Sequence, residues 1–184
     1  MLRFFTILAL TLGFGLATAP AQAASADPKN TVIMETAYGK VTIQLRPDLA
    51  PNHAERIRVL TQKGFYNGVV FHRVIEGFMA QTGDPTGTGT GGSDLPDLKA
   101  EFTTKAKFVR GVVGMARSSD PDSANSQFFI MYGPTPSLDG QYTIVGEVVS
   151  GMDAIDKIKK GPPEDNGQVT NPDKIIKMTM ADGK

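Results

Sequence analysis

The chain contains no cysteine, which excludes disulfides, thiolate nucleophiles, zinc–thiolate sites and iron–sulfur clusters. Tryptophan is absent, and histidine occurs twice, at His53 and His72, too few for a histidine-rich metal site. There is no surplus of charge: 19 Lys+Arg balance 19 Asp+Glu, so composition favours neither nucleic acid nor an anionic membrane surface as a partner. Beyond the N-terminal segment no apolar run is long enough to cross a membrane. What the chain has in quantity is glycine (20) and proline (12), which imply many turns. At 184 residues and 40% hydrophobic content it suits one globular domain with its own core.

The N-terminus differs from the rest. Arg3 is the only charge before Asp27, residues 4–16 form a short apolar run, and Ala21-Gln22-Ala23 is an A-x-A site. These features predict a signal peptide over residues 1–23, cleaved after Ala23, followed by a flexible leader over 24–30. The predicted location is the bacterial periplasm, where a cysteine-free chain is at ease in an oxidising compartment. No membrane association is expected after cleavage.

The mature chain reads mainly as strands. Val41, Ile43 and Leu45 alternate with Lys40, Thr42 and Gln44 after the turn at Ala37-Tyr38-Gly39, predicting an antiparallel hairpin with residues 31–36. Pro51 opens a helical pattern with Ala54, Ile57 and Leu60 on one face and Gly64 at its end; Arg56, Lys63 and His53 are expected to face solvent. Further strands are expected at 69–75, 77–81, 109–117, 127–132, 143–149 and 176–180, the last with Ile176, Met178 and Met180 on one side. A short helix around Ile155 should begin with a capping box at Ser150–Asp153. Strands and helices do not alternate, which favours an antiparallel sheet closed into a barrel.

Two stretches carry chemistry. Residues 71–84, FHRVIEGFMAQTGD, place Arg73 among Phe71, Val74, Ile75, Phe78 and Met79. An arginine in such company either snorkels to solvent or works. The glycine-rich 87–92 lacks the lysine and following helix of a phosphate loop, and residues 120–125 lack the glycine and glutamate of a calcium loop. No serine sits in a nucleophile elbow, and His72 reads as a packed strand residue.

FHRVIEGFMAQTGD, GTGG at 89–92, GMAR at 114–117, SQFFI at 126–130 and LDG at 138–140, in this order and spacing, resemble the cyclophilin family of peptidyl-prolyl isomerases, most closely its exported bacterial members. The resemblance spans about Thr31 to about Met180. It implies a mainly β domain over 31–184, a closed eight-stranded antiparallel barrel capped by two α-helices. It also implies cis–trans isomerisation of X–Pro bonds in proline-containing polypeptides, assisting the folding of exported proteins, by a monomer without cofactor or metal. By the same resemblance Arg73 is catalytic. Phe78, Met79, Phe129 and Leu138 line the proline pocket, Gln81 positions the arginine, and Gly89, Ala116, Arg117 and Gln127 border the peptide groove. Tyr142 stands where many relatives have histidine.

Four positions depart from the family pattern. Arg117 replaces a usual asparagine, Thr82 a glycine and Glu76 a proline, the last two expected beside the pocket. Ser137 replaces a tryptophan, so weak cyclosporin binding is expected. A non-catalytic proline-peptide-binding chaperone or docking module is the alternative reading. A small-ligand barrel is a weaker third, because barrels of this size are filled by side chains.

Overall fold

Alternating burial along β1 (Thr31–Thr36) and β2 (Gly39–Leu45) turns Val32, Met34, Val41, Ile43 and Leu45 inward, as the period-two pattern requires. The computed structural model describes residues 27–183. The predicted signal peptide and the first residues of the leader lie outside them. Within the leader, Asp27 accepts from the Lys29 amide and starts a short 3-10 turn over Pro28–Asn30 that leads directly into β1.

After the hairpin come α1 (Pro51–Gln62), β3 (Arg73–Ile75), β4 (Met79–Thr82), β5 (Val112–Met115), β6 (Phe128–Met131), β7 (Ile144–Ser150), α2 (Met152–Asp156) and β8 (Lys177–Met180). The strands form one antiparallel sheet in the order β3-β4-β6-β5-β7-β2-β1-β8. The expected closed barrel is not formed. β3 and β8 end the order without a ladder between them, and the sheet is an open, curled half-barrel.

The reason lies in β3, which is only three residues long and whose outer side is already taken. Val74 donates to the Gly167 carbonyl at 2.8 Å and accepts from Gly161 at 2.9 Å, while Val169 donates to His72 at 3.0 Å. Farther along, Gly68 donates to Ile175 at 2.7 Å and Ile175 to Val69 at 2.8 Å. Irregular chain therefore satisfies the edge groups that a closing strand would have used.

The concave side holds the main core, where Ala54, Ile57 and Leu60 of α1 and Ala154 and Ile155 of α2 pack against the inward residues of the strands. Tyr66 is fully buried edge-on to Phe128, with its hydroxyl donating to the Ser126 carbonyl at 3.0 Å. The opposite side of β4, β5, β6 and β7 carries a smaller apolar cluster of Met79, Phe108, Val112, Phe129, Met131 and Ile144. Along β6 the alternation is clear: Phe128 and Ile130 enter the main core, Phe129 and Met131 the second cluster.

Four expectations about local structure are corrected. His53 does not face solvent but is fully buried, its Nδ1 lying 2.6 Å from Glu101. α1 has no side-chain cap of its own, and the Glu101 carboxylate supplies one by accepting from the Asn52 and His53 amides at 3.2 and 3.1 Å. Arg56 is also buried, because α1 packs against the long loop as well as the sheet; it donates to the carbonyls of Pro96 (2.6 Å) and Asn125 (3.3 Å). Lys63 is exposed, as expected. The capping box at α2 is absent, its N-cap being the left-handed Gly151 with no side-chain bond. Ile176 is half exposed while Ile175 is buried, since the chain ahead of β8 pairs with residues 68–71, ahead of β3, rather than continuing the strand alternation.

Candidate active site

Strand register assembles the site. Arg73 on β3 pairs with Gln81 on β4, Gln81 with Phe129 on β6, and Phe129 with Gly114 on β5, making one row across four strands on the convex face. Gly114 has to lack a side chain: a Cβ there would lie 2.5 Å from Phe129 Cζ and 2.7 Å from Phe108 Cε1. The space it leaves lets the Phe108 and Phe129 rings stack, with centroids 5.8 Å apart. Tyr142 meets Phe129 edge-on, and the 3-10 turn Pro136–Leu138 brings Leu138 to the rim.

The result is a cavity of about 110 Å³ lined by Arg73, Phe78, Met79, Gln81, Ala116, Arg117, Phe129, Leu138 and Tyr142. A second, broader groove of about 560 Å³ adjoins it, shares Gln81, Ala116 and Arg117, and continues along Gly89–Ser93, Asn125 and Gln127. Every site residue expected from sequence thus lies on one of two adjoining cavities, with Gly89 and Gln127 on the groove alone.

Arg73 is held from both sides. Its Nη1 donates to Gln81 Oε1 at 3.2 Å, its Nε to the Asn166 carbonyl at 3.0 Å, and its Nη2 to Asn166 Oδ1 at 3.0 Å. Burial pushes the pKa of its guanidinium down, which leaves an arginine still charged at any ordinary pH. Gln81 passes the linkage on: its Nε2 donates to Gln127 Oε1 at 2.9 Å, and Gln127 Nε2 donates to the Gly89 and Gly91 carbonyls at 3.0 and 2.9 Å.

The glycine-rich loop is organised by Asp84, which is fully buried. Its carboxylate accepts from the Thr86 amide and hydroxyl, both at 2.8 Å, and from the amides of Gly89 (2.6 Å) and Gly91 (3.1 Å). Burial alone would push its pKa up; these bonds overcome that and hold it at about 2. Arg117 lies over Tyr142, its Cζ 4.5 Å from the ring centroid, and donates to the Gln141 carbonyl at 3.2 and 3.0 Å. It marks the boundary between the cavities.

Thr82 and Glu76, expected beside the pocket, line neither cavity. Thr82 alternates with Gln81 and so points inward, fully buried and bonded to the Val70 carbonyl at 2.9 Å. Glu76 sits in the exposed turn between β3 and β4, where it pairs with Lys160 at 3.7 Å. Ser137 is exposed beside Leu138. His72 is packed, as expected: it is 5% exposed, burial lowers its pKa, and it lies beneath Gly89. Asn166 is the site residue that sequence reasoning missed. Asp165-Asn166-Gly167 carries a turn signal, but nothing local says that this turn meets Arg73.

The site can bind a small apolar ring beside a charged donor, with a polar groove for flanking chain. Known proteins are similar to this chain in sequence and fold. Residues 31–180 match the family model for cyclophilin type peptidyl-prolyl cis-trans isomerase. A probable peptidyl-prolyl cis-trans isomerase of Brucella suis is 60% identical over 169 residues, covering 86% of each chain. A peptidyl-prolyl cis-trans isomerase-like protein of Rattus norvegicus is 43% identical over 135 residues, covering 72% of this chain and 83% of its own. Among solved structures, a cyclophilin from Hirschia baltica superposes with a TM-score of 0.76 at 31% identity, covering 85% of this chain and 76% of its own. A Cryptosporidium parvum cyclophilin, crystallised in the presence of the dipeptide Ala-Pro, superposes with a TM-score of 0.75 at 29% identity, covering 82% and 98%. The chain therefore belongs to the cyclophilin-type peptidyl-prolyl cis–trans isomerase family.

Proposed function

We propose that the chain isomerises X–Pro bonds of polypeptides at the small cavity, with Arg73 as the catalytic residue. The activity is that of its family, peptidyl-prolyl cis–trans isomerisation. A peptide bond resists rotation by about 18–20 kcal/mol because the nitrogen lone pair is delocalised into the carbonyl. At X–Pro bonds both isomers are populated, and uncatalysed exchange takes tens of seconds or more. The catalyst needs no nucleophile or proton shuttle. It has to favour the twisted geometry in which the lone pair is localised on the prolyl nitrogen.

The observation that carries the assignment is the state of Arg73. It lines the cavity, and three of its five N–H donors are engaged, leaving two for a substrate. A donor directed at the prolyl nitrogen gains strength only as the bond twists, so it acts on the transition state more than on the bound substrate. Phe78, Met79, Phe129 and Leu138 supply apolar surface for the ring. Burying three methylenes contributes about 2–3 kcal/mol, so the ring alone binds in the millimolar range or weaker. Weak binding allows rapid release of many different chains.

Replacing Arg73 by alanine tests the reading. In a cis-to-trans assay on an X–Pro peptide, kcat/KM should fall roughly 10²–10³-fold, the usual cost of one such donor, with KM little changed. Equal rates for wild type and variant would remove Arg73 from the mechanism.

The wider setting belongs to the same proposal: a monomer that acts on exported polypeptides in the periplasm. The charged start, apolar run and A-x-A site of residues 1–23 support export. N-terminal sequencing of the protein recovered from cells should show a start at Ala24, and a chain beginning at Met1 in membranes would contradict it. The exposed Ser137, in place of a tryptophan, supports weak cyclosporin binding.

A further inference from the structure

The catalytic reading of Arg73 raises a question of aim. An arginine side chain has several rotatable bonds, and its charge helps only if the fork is held where the prolyl nitrogen arrives. Gln81 touches one nitrogen of that fork. The remaining anchors come from a residue 93 positions later in the chain.

Asn166 receives Arg73 twice, through its backbone carbonyl and through its side-chain oxygen, each at 3.0 Å. The two bonds take Nε and Nη2, one edge of the guanidinium. The other terminal nitrogen, Nη1, is left to Gln81 and the cavity. Asn166 presents both oxygens to that edge from a φ of 52°, in the left-handed region that asparagine tolerates better than most residues.

Its neighbours are shaped for the same end. Gly167 at φ 75° lies so close to β3 that a Cβ would fall 2.3 Å from Ile75 Cγ1, and one on Gly161 would fall 2.2 Å from the Gly167 carbonyl oxygen. With the Val74–Gly167 and Gly161–Val74 backbone bonds, these contacts press the 161–169 segment onto the strand that carries Arg73. The grip is also neutral. A carboxylate in the same place would hold the guanidinium at least as firmly, but it would offset the positive charge that the twisted bond needs.

Resting on the catalytic reading of Arg73, we propose that Asn166 is a positioning residue for the reaction, fixing the guanidinium by a two-point uncharged clamp. Two substitutions separate its parts. Asn166→Gly keeps the left-handed backbone and the carbonyl but removes Oδ1. Asn166→Asp keeps both oxygens and adds a charge.

The experiment measures kcat and KM for an X–Pro peptide, the thermal midpoint of each variant, and, for slow variants, exchange between cis and trans peptide by NMR at high enzyme concentration. Asn166→Gly should lower kcat roughly 3–10-fold with KM within twofold and an unchanged midpoint. Asn166→Asp should lower kcat at least as far while the midpoint is kept or raised. In an Arg73→Ala background, Asn166→Gly should change the exchange rate by less than twofold, since there is no guanidinium left to aim. Wild-type kcat in both Asn166 variants overturns the clamp, as does an equal fractional loss with and without Arg73. If instead Arg73→Ala itself leaves the rate unaltered, the catalytic reading fails and the clamp with it, so the two failures are told apart.

Discussion

The small cavity and the broad groove share three residues yet are built on opposite plans. The cavity stands on strands: Met79, Gln81 and Phe129 are fixed by ladder register, and aromatic rings packed against a missing side chain at Gly114 complete its floor. The groove stands on loops, with the glycine-rich segment gathered around one buried carboxylate and tied to the sheet through Gln127. Rigid apolar walls suit a constant ligand, the proline ring. Backbone carbonyls and short polar side chains suit flanking chain that varies from one substrate to the next. On the proposed function, selectivity for proline would fall to the sheet and tolerance of sequence to the loops.

After Arg73→Ala, Gly114→Ala should do the most damage, because a methyl group would collide with both Phe129 and Phe108. The rings must shift, at a cost of about 1–3 kcal/mol in stability, and kcat/KM should fall roughly tenfold or more. Denaturant melts and peptide kinetics give both numbers, and wild-type kinetics would show that the floor is not set by this packing.

In the glycine-rich loop, Asp84 titrates at about 2 in the folded chain against an ordinary 3.8. A lowered folded pKa means stability that is fully present above about pH 4 and is lost as pH falls towards 2 and below. Protection of the Gly89 and Gly91 amides, measured against their intrinsic exchange rates at each pH, should fall across that window while Phe129 and Ile130 stay protected. In Asp84→Asn this acid-induced loosening should disappear, and at neutral pH KM should rise a few-fold with little change in kcat.

The smallest effect is expected at Thr82. Its side chain faces the core, so Thr82→Val should change kcat/KM by less than twofold while costing about 1–2 kcal/mol through the unpaired Val70 carbonyl. A large kinetic effect would mean that the two faces of β4 are not independent.

Strand content and both helices were legible in the sequence because they follow local rules, whereas the candidate site residues were named through the resemblance of their motifs to a family. Period-two alternation marks β2, Pro51 and Gly64 bracket α1, and the FHRVIEGFMAQTGD and SQFFI stretches lie on the paired strands that make the row from Arg73 to Phe129. Several of the misreadings share one cause, which is partnership across long separations. His53 and Arg56 read as solvent-facing because Glu101, Pro96 and Asn125, which bury them, are 40 to 69 residues away. The open seam escaped for the same reason, since a count of strands does not say which chain occupies an edge. Thr82 and Glu76 were misplaced by proximity in sequence: one step along a strand reverses the face, and a turn carries its side chain outward.

The seam along β3 also sets an order in time. A chain made from its N-terminus presents Arg73, Gln81 and Phe129 long before residues 161–175 exist. Until that late segment docks, β3 has an unpaired edge and its arginine lacks two of its three anchors. A fully anchored Arg73 is therefore available only once residues 161–175 have been made, and a cut in that segment would free the arginine without touching any residue that lines the pocket.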